Sequence, residues 1–387
     1  MHICLLNMQI EYYSPVSGGA VATVMMQYAR NLLALGHRVT VLTAVNGDEV
    51  YPVGDVVPIR NGNRKTINAV QSRVSALRQR IESWDYPHYE YYIRSFKAAL
   101  RRLLPMPDVV LIHNDFVAPR HIKKALPRTK VVLMLHNETR TNLRDKRKAL
   151  SYVDLFLPLG CYIRDWTAKA YDIATNKIVP VRNGVDLEVF KPRDNYLDPA
   201  KPVRVLFIGR IDPNKGPDLA ADAVAQLRRE GVPVTLSVAG SLWFYGHGNE
   251  MEDPYFRSLK TKMDAAEADY LGHVTRANVP RLVRDHDVVC VLSRSQEPYP
   301  LVVLEAMASG CAVLASDRGG LPEVCGGAAI VANPDDLRCV VDRLRSLAAD
   351  RKLLRTTKIK SVERAARESW PEKTERLEGI FKKELGL

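Results

Sequence analysis

Two stretches of this chain open in the same way. Residues 2–8 form a short apolar run, residues 21–36 place apolar side chains every three or four positions, and residues 38–44 are apolar again. The pattern returns at 203–209, 217–230 and 234–240. Strand, loop, helix and following strand make the unit of a doubly wound sheet. Two such openings in 387 residues predict an α/β chain of two domains, each a mostly parallel sheet covered by helices. Further strands are expected at 108–113, 130–136, 154–159, 287–293, 311–316 and 328–332. A connector rich in Pro, Asn and Asp between Lys177 and Pro202 sets the junction near residue 181. Ligands are expected where strand C-termini face the cleft between the domains.

Charge is unevenly shared. Residues 1–180 hold 25 Lys+Arg against 14 Asp+Glu, which leaves 31 against 30 in the remainder of a chain whose formal charge is +12. A basic first half attracts an anionic membrane, a phosphorylated substrate or nucleic acid, or is a solvated surface that aids solubility. The six cysteines are scattered, with no C-x-x-C pair, which fits plain thiols in a reducing compartment better than zinc or disulfides. Glu11 interrupts the N-terminus before a signal-peptide core develops, and no apolar run is long enough to span a membrane. A cytoplasmic protein is expected, with peripheral contact at the inner face of the membrane left open. From Ile67 to Trp84, apolar residues step by three and four along one face while Arg73, Arg78 and Arg80 take other positions. This predicts an amphipathic helix, either packed on its own domain or docked on a membrane or partner.

The chemistry concentrates after strand ends. Between the first strand and helix, Gly18 and Gly19 let the backbone turn tightly, and the following helix is expected to aim free N–H groups there. In the second half, the loop from Gly209 to Gly216 carries Arg210 and Lys215, two cations suited to a diphosphate. The run Gln296 to Gly310 has only Glu297 and Glu305 as charges. Glu297 sits past a strand end, and Pro300 opens a helix in which Glu305 lies one turn inside. Two carboxylates accepting from polyhydroxylated groups, with amides of Leu301 and Val302 between them for phosphate, match the form of a sugar nucleotide.

These motifs together, E-P-Y-P-L-V-V-L-E-A-M-A-S-G from Glu297, G-R-I-D-x-x-K-G from Gly209, R-N-G-V-D from Arg182 and the Gly18-Gly19 pair, resemble retaining glycosyltransferases of family 4, which have the GT-B fold. The resemblance covers essentially the whole chain. It implies an acceptor-binding Rossmann-like domain at 1–180, a nucleotide-sugar-binding one at 181–368, and a C-terminal helix at 369–387 crossing back to the first. It further implies that Glu305 binds the ribose, Glu297 the donor sugar, and Arg210 and Lys215 the diphosphate, with Gly18 and Gly19 closing over it. Val274, in the turn after Gly272, would line the base. His113 would face the reacting sugar, and His136 with Asn137 would shape the acceptor pocket. Pro300 departs from the family, many of whose members have Gly there, and moves phosphate binding to the neighbouring amides.

The implied reaction is transfer of a hexosyl unit from a nucleoside-diphosphate sugar, UDP being the commonest choice, to an acceptor hydroxyl with retention. No cofactor is implied. The D-x-D at Asp285–Asp287 enters a strand from the far end, so no catalytic metal is expected. The acceptor is either lipid-linked, in envelope glycan assembly, or a small molecule such as an aminocyclitol. Competing readings are a sugar-nucleotide 2-epimerase of the same architecture and a noncatalytic binder of nucleotide sugar or nucleic acid; nucleic acid is not the expected partner.

Overall fold

The computed structural model describes residues 1–9, 11–16, 19–45, 47–60, 89–138, 150–193, 201–242 and 249–387. Gly18 and the helix expected at 67–84 lie outside them. The chain divides into two compact units, one of residues 1–182 with 370–387, the other of residues 183–369.

The first unit runs β1 (His2–Leu6), α1 (Ala20–Ala34), β2 (Arg38–Val45), β3 (Asp55–Arg60), α2 (Tyr89–Arg101), β4 (Val109–His113), α3 (Ala118–Ala125), β5 (Lys130–Leu135), β6 (Leu155–Pro158) and α4 (Gly160–Tyr171). Its six strands are parallel in the order β3-β2-β1-β4-β5-β6. Ile3 pairs with Val39 on one side and Val109 on the other. β1 and β4 are buried along their whole length, which is why their sequences are continuous apolar runs rather than alternating ones.

The second unit runs β7 (Val203–Ile208), α5 (Pro217–Arg229), β8 (Val234–Ala239), α6 (Pro254–Ala265), β9 (Asp269–Gly272), α7 (Val279–Arg284), β10 (Val288–Val291), α8 (Leu301–Ala308), β11 (Ala312–Ser316), α9 (Leu321–Cys325), β12 (Ile330–Ala332), α10 (Leu337–Ala349) and α11 (Arg351–Ala365). Its strand order is β12-β11-β10-β7-β8-β9, again parallel. α5 buries Leu219, Ala220, Ala223, Val224 and Leu227 against the strands, and each Leu so buried stabilises the unit by about 1.5–3 kcal/mol.

The last helix, α12 (Trp370–Leu385), belongs to the first unit. Trp370 meets the Tyr28 ring edge-on at 5.4 Å, and Glu378 accepts from His37 at 3.0 Å. Its buried positions Thr374, Leu377, Ile380, Phe381 and Leu385 keep helical spacing. Two strands, β3 and β9, were not expected from the sequence. Both lie at sheet edges, where half-exposed residues and, in β3, Pro58 erase the apolar run that marks an interior strand. Among the described residues no helix is long and apolar enough to cross a membrane.

Candidate active site

In the second unit the expected residues gather at the C-terminal edge of the sheet. β7 ends at Ile208, and the chain passes through Gly209 and Arg210 into a single 3-10 turn, Pro213–Lys215, whose entry Asp212 caps by accepting from the Asn214 amide at 2.8 Å. Gly216 then takes φ +72°, and a Cβ there would lie 2.3 Å from the Leu292 carbonyl oxygen, so this turn needs glycine twice over. Arg294 clamps the turn. Its amide donates to the Asn214 carbonyl, its guanidinium to the Pro213 carbonyl, and two of its nitrogens to Asp218 at 2.9 and 2.6 Å. Burial alone would raise the Asp218 carboxyl, but the Arg294 hydrogen bonds and charge outweigh it and hold the group below the usual range.

Lys215 is thereby aimed at Glu297. Its Nζ donates to Glu297 Oε1 at 2.6 Å, and Ser293 Oγ donates to the same oxygen at 2.7 Å. Ser293 is itself fixed where its carbonyl accepts from Ser316 Oγ at 2.7 Å. Glu297 is buried, and among the described residues no group bonds its Oε2. One carboxylate oxygen is occupied and the other is open to a hydrogen-bond donor. The loop that carries Glu297 rests on Gly320, where a Cβ would fall 1.7 Å from the Pro298 carbonyl oxygen.

Pro300 occupies the N-cap of α8 in extended conformation, which leaves the amides of Leu301 and Val302 without intrahelical acceptors at a helix start. Glu305, buried one turn in, is joined through Oε1 to Arg276, whose guanidinium also lies 5.3 Å from the Phe190 ring centroid. Val274 is half-buried in the turn after β9. Arg210 reaches Asp212 at 3.0 Å. Asp287 stands at the opposite end of β10, bonded to Arg204 and Lys358, while Asp285 pairs with Arg193. Among the described residues no group of three metal-ligating side chains occurs.

In the first unit His113 ends β4 and His136 follows β5. His113 Nδ1 and His136 Nε2 are 2.8 Å apart, and Asn114, in the left-handed region at φ 57°, accepts the His136 amide at 2.8 Å. Burial depresses both rings, His136 to about 3 and His113 well below 6.5 with His136 adding to it. Both are neutral at pH 7. His113 is fully enclosed, and among the described residues its Nε2 has no hydrogen-bond partner. Asn137 is exposed beside it, and the following Glu138 accepts from Tyr162.

At the first glycine turn the helix start already has a partner. The amides of Gly19 and Ala22 at the start of α1 donate to Glu11 Oε1 at 2.8 and 3.3 Å, so a protein carboxylate already occupies the anion-binding end of this helix. Glu11 is close in sequence, but the sequence marks it only as an interruption of the apolar N-terminus. Ser293, Arg294, Arg276 and Gly320 were also not foreseen. Ser293 ended a predicted strand and Gly320 belongs to a Gly-Gly pair, both usable signals; nothing local marks Arg276 or Arg294.

Residues 17–189 match the family model for Glycosyltransferase Family 4, and residues 190–364 match that for Glycosyl transferases group 1. The chain belongs to this glycosyltransferase family. Among curated relatives, spore coat protein SA of Bacillus subtilis is 26% identical over 281 residues, 67% of this chain and 73% of that protein. The lipopolysaccharide 1,2-N-acetylglucosaminetransferase of Salmonella typhimurium is 31% identical, covering 56% of each chain. A D-inositol 3-phosphate glycosyltransferase of Saccharomonospora viridis is 30% identical over 64% of this chain and 60% of its own. Among solved structures, the sucrose-phosphate synthase of Thermosynechococcus elongatus matches with TM-score 0.76 at 16% identity over the whole of both chains. HepE of Anabaena, solved with UDP and glucose, matches with TM-score 0.74 at 17% identity over 98% of this chain and 99% of its own. The fold is GT-B, two doubly wound α/β units.

Proposed function

We propose that this glycosyltransferase moves a hexosyl unit from a UDP-linked sugar to an acceptor hydroxyl with retention of anomeric configuration and without a metal. The observation that carries the reading is the pair of buried carboxylates on either side of the α8 N-terminus, each joined to one cation: Glu297 to Lys215, Glu305 to Arg276.

Glu305 accepts from ribose hydroxyls, and Glu297 Oε2 accepts from a hydroxyl of the donor sugar. The Leu301 and Val302 amides, with Arg210 and Lys215, surround the diphosphate. As the bond between the anomeric carbon and the phosphate oxygen breaks, negative charge grows on the leaving group, and these donors stabilise it most where it is greatest. The acceptor oxygen bonds to the same face of the anomeric carbon, and its proton passes to the departing phosphate oxygen. Cations and amides thus do the work a bridging metal does elsewhere. The first unit supplies the acceptor side, with His136 and Asn137 beside a hydroxylated small molecule or lipid-linked acceptor. The six cysteines are unpaired, which suits the reducing cytoplasm.

Calorimetric titration with UDP, GDP, dTDP and their sugar conjugates tests the proposal, with Glu305→Ala as comparison. Binding of one nucleotide at micromolar Kd, lost in the variant, supports it and selects the donor for acceptor screening. Absence of binding by the folded protein removes its main support.

A further inference from the structure

We propose that the edge of the first sheet formed by its strand N-termini docks on an anionic phospholipid surface. Within the first unit this is the end opposite to His113 and His136, and the inference does not depend on the donor chemistry.

The segment between α2 and β4 is anchored from inside. Leu103 and Pro107 are buried, and the Pro105 carbonyl is 2.8 Å from His2 Nδ1 at the start of β1. Between these anchors the chain turns its apolar side chains outward: Leu104 is 74% exposed and Met106 49%. Two strands away at the same edge, the end of α1 and the turn into β2 expose Leu33 (41%) and Leu35 (38%). Strand order β2-β1-β4-β5 sets these features side by side over about 14 Å, three strand spacings. Large apolar side chains held in water at one end of a sheet mark a contact surface rather than scattered exposure.

Basic residues outnumber acidic ones beside them. Arg101 and Arg102 precede the Leu104 tip, and Lys124 in the last turn of α3 and Arg128 in the following connection to β5 adjoin it, the connection being tied on where Thr129 Oγ1 donates to the Pro107 carbonyl at 2.8 Å. All four cations are exposed, and none has an ion-pair partner among the described residues. Three carboxylates at this edge are ion-paired, Asp55 with Arg38, Asp154 with Lys123 and Glu378 with Lys382, while Asp108 accepts from the His2 amide and keeps its charge. Cations suit helix C-termini, which accounts for Arg101 and Lys124, but Arg102 and Arg128 lie past the helix ends and the exposed apolar tip has no such explanation. Apolar residues that insert at the acyl boundary, ringed by cations at headgroup level, fit an anionic bilayer better than a polyanion, which has no use for the leucines.

Co-sedimentation of the full chain with phosphatidylglycerol and with phosphatidylcholine vesicles tests this. Pelleting with the anionic vesicles only, weakening at 0.5 M salt, is expected. The double variant Leu104→Ser with Met106→Ser should reduce partitioning about tenfold, and Arg102→Ala and Arg128→Ala about fivefold each. All four positions are exposed, so thermal melts should stay unchanged, and nucleotide titration should match wild type. No pelleting, or pelleting indifferent to these variants, overturns the proposal. So does a dimer in solution that the Leu104 and Met106 variant dissociates, since the edge would then be a contact between copies. Vesicle binding retained by a protein that binds no nucleotide would leave this proposal standing and the transferase reading not.

Discussion

Lys215 Nζ lies 2.6 Å from Glu297 Oε1, although 82 residues separate the two in the chain. The bond joins the cation expected to face a diphosphate to the carboxylate expected to face a sugar, and it ties the two roles together. Lys215→Ala should lower kcat/KM by about 100-fold or more, because charge on the leaving group loses a preorganised donor. Folding stability should fall by only about 1–2 kcal/mol, since Ser293 still bonds Glu297 and water can reach the lysine's position. Arg210→Ala should likewise depress turnover far more than stability. Steady-state kinetics beside denaturant melts separate the two effects; wild-type turnover in both variants would sink the assignment.

Arg276 and Glu305 form the second pair, and here the cation serves the carboxylate. Removing Arg276 leaves a buried carboxylate without its partner, which is costly. Arg276→Ala should weaken UDP binding about tenfold, while Arg276→Lys, which keeps charge but loses the planar face over Phe190, should fall between. Titration calorimetry on the three proteins reads the order directly. An unchanged affinity in Arg276→Ala would mean that Glu305 does not contact the nucleotide.

Two glycines should respond in opposite directions to the same change. Gly320→Ala puts a methyl carbon 1.7 Å from the Pro298 carbonyl oxygen and must displace the Glu297 loop, so a stability loss above about 2 kcal/mol is expected together with lost activity. Gly379 lies inside α12 with nothing within 4 Å of an added Cβ. Gly379→Ala should stabilise by about 0.4–1 kcal/mol by restricting the unfolded chain. Urea unfolding of both variants provides the contrast.

The histidine pair predicts a pH dependence of stability. Burial lowers the folded pKa of His136 to about 3, against 6.5 when unfolded, so the unfolded chain binds the proton first as pH falls. Stability is full above 6.5 and declines between 6.5 and about 3, at about 1.4 kcal/mol per pH unit for this group, with His113 adding in the same direction. His136→Asn should flatten the slope measured by denaturant unfolding between pH 7 and 5. A slope equal to wild type would mean that the ring is not held neutral.

The sequence by itself determined which segments become interior strands and helices, because hydrophobic period is local: runs buried on both faces read as β1, β4, β7 and β10, and spacings of three and four read as α1, α5 and α12. It also determined that Glu297 follows a strand and Glu305 lies inside a helix, since Pro300 and the apolar run settle that from one another. Edge strands β3 and β9 escaped, because half of each faces water and the pattern fades. The tertiary structure alone decided what each functional group touches. Parallel strands bring loops from distant segments to one sheet edge, so Lys215 meets Glu297, Arg276 meets Glu305, and His113 meets His136. Even Glu11, eight residues from Gly19, found its place at the start of α1 only through the fold of the turn between them, since a hydrogen bond of 2.8 Å depends on backbone direction and not on spacing.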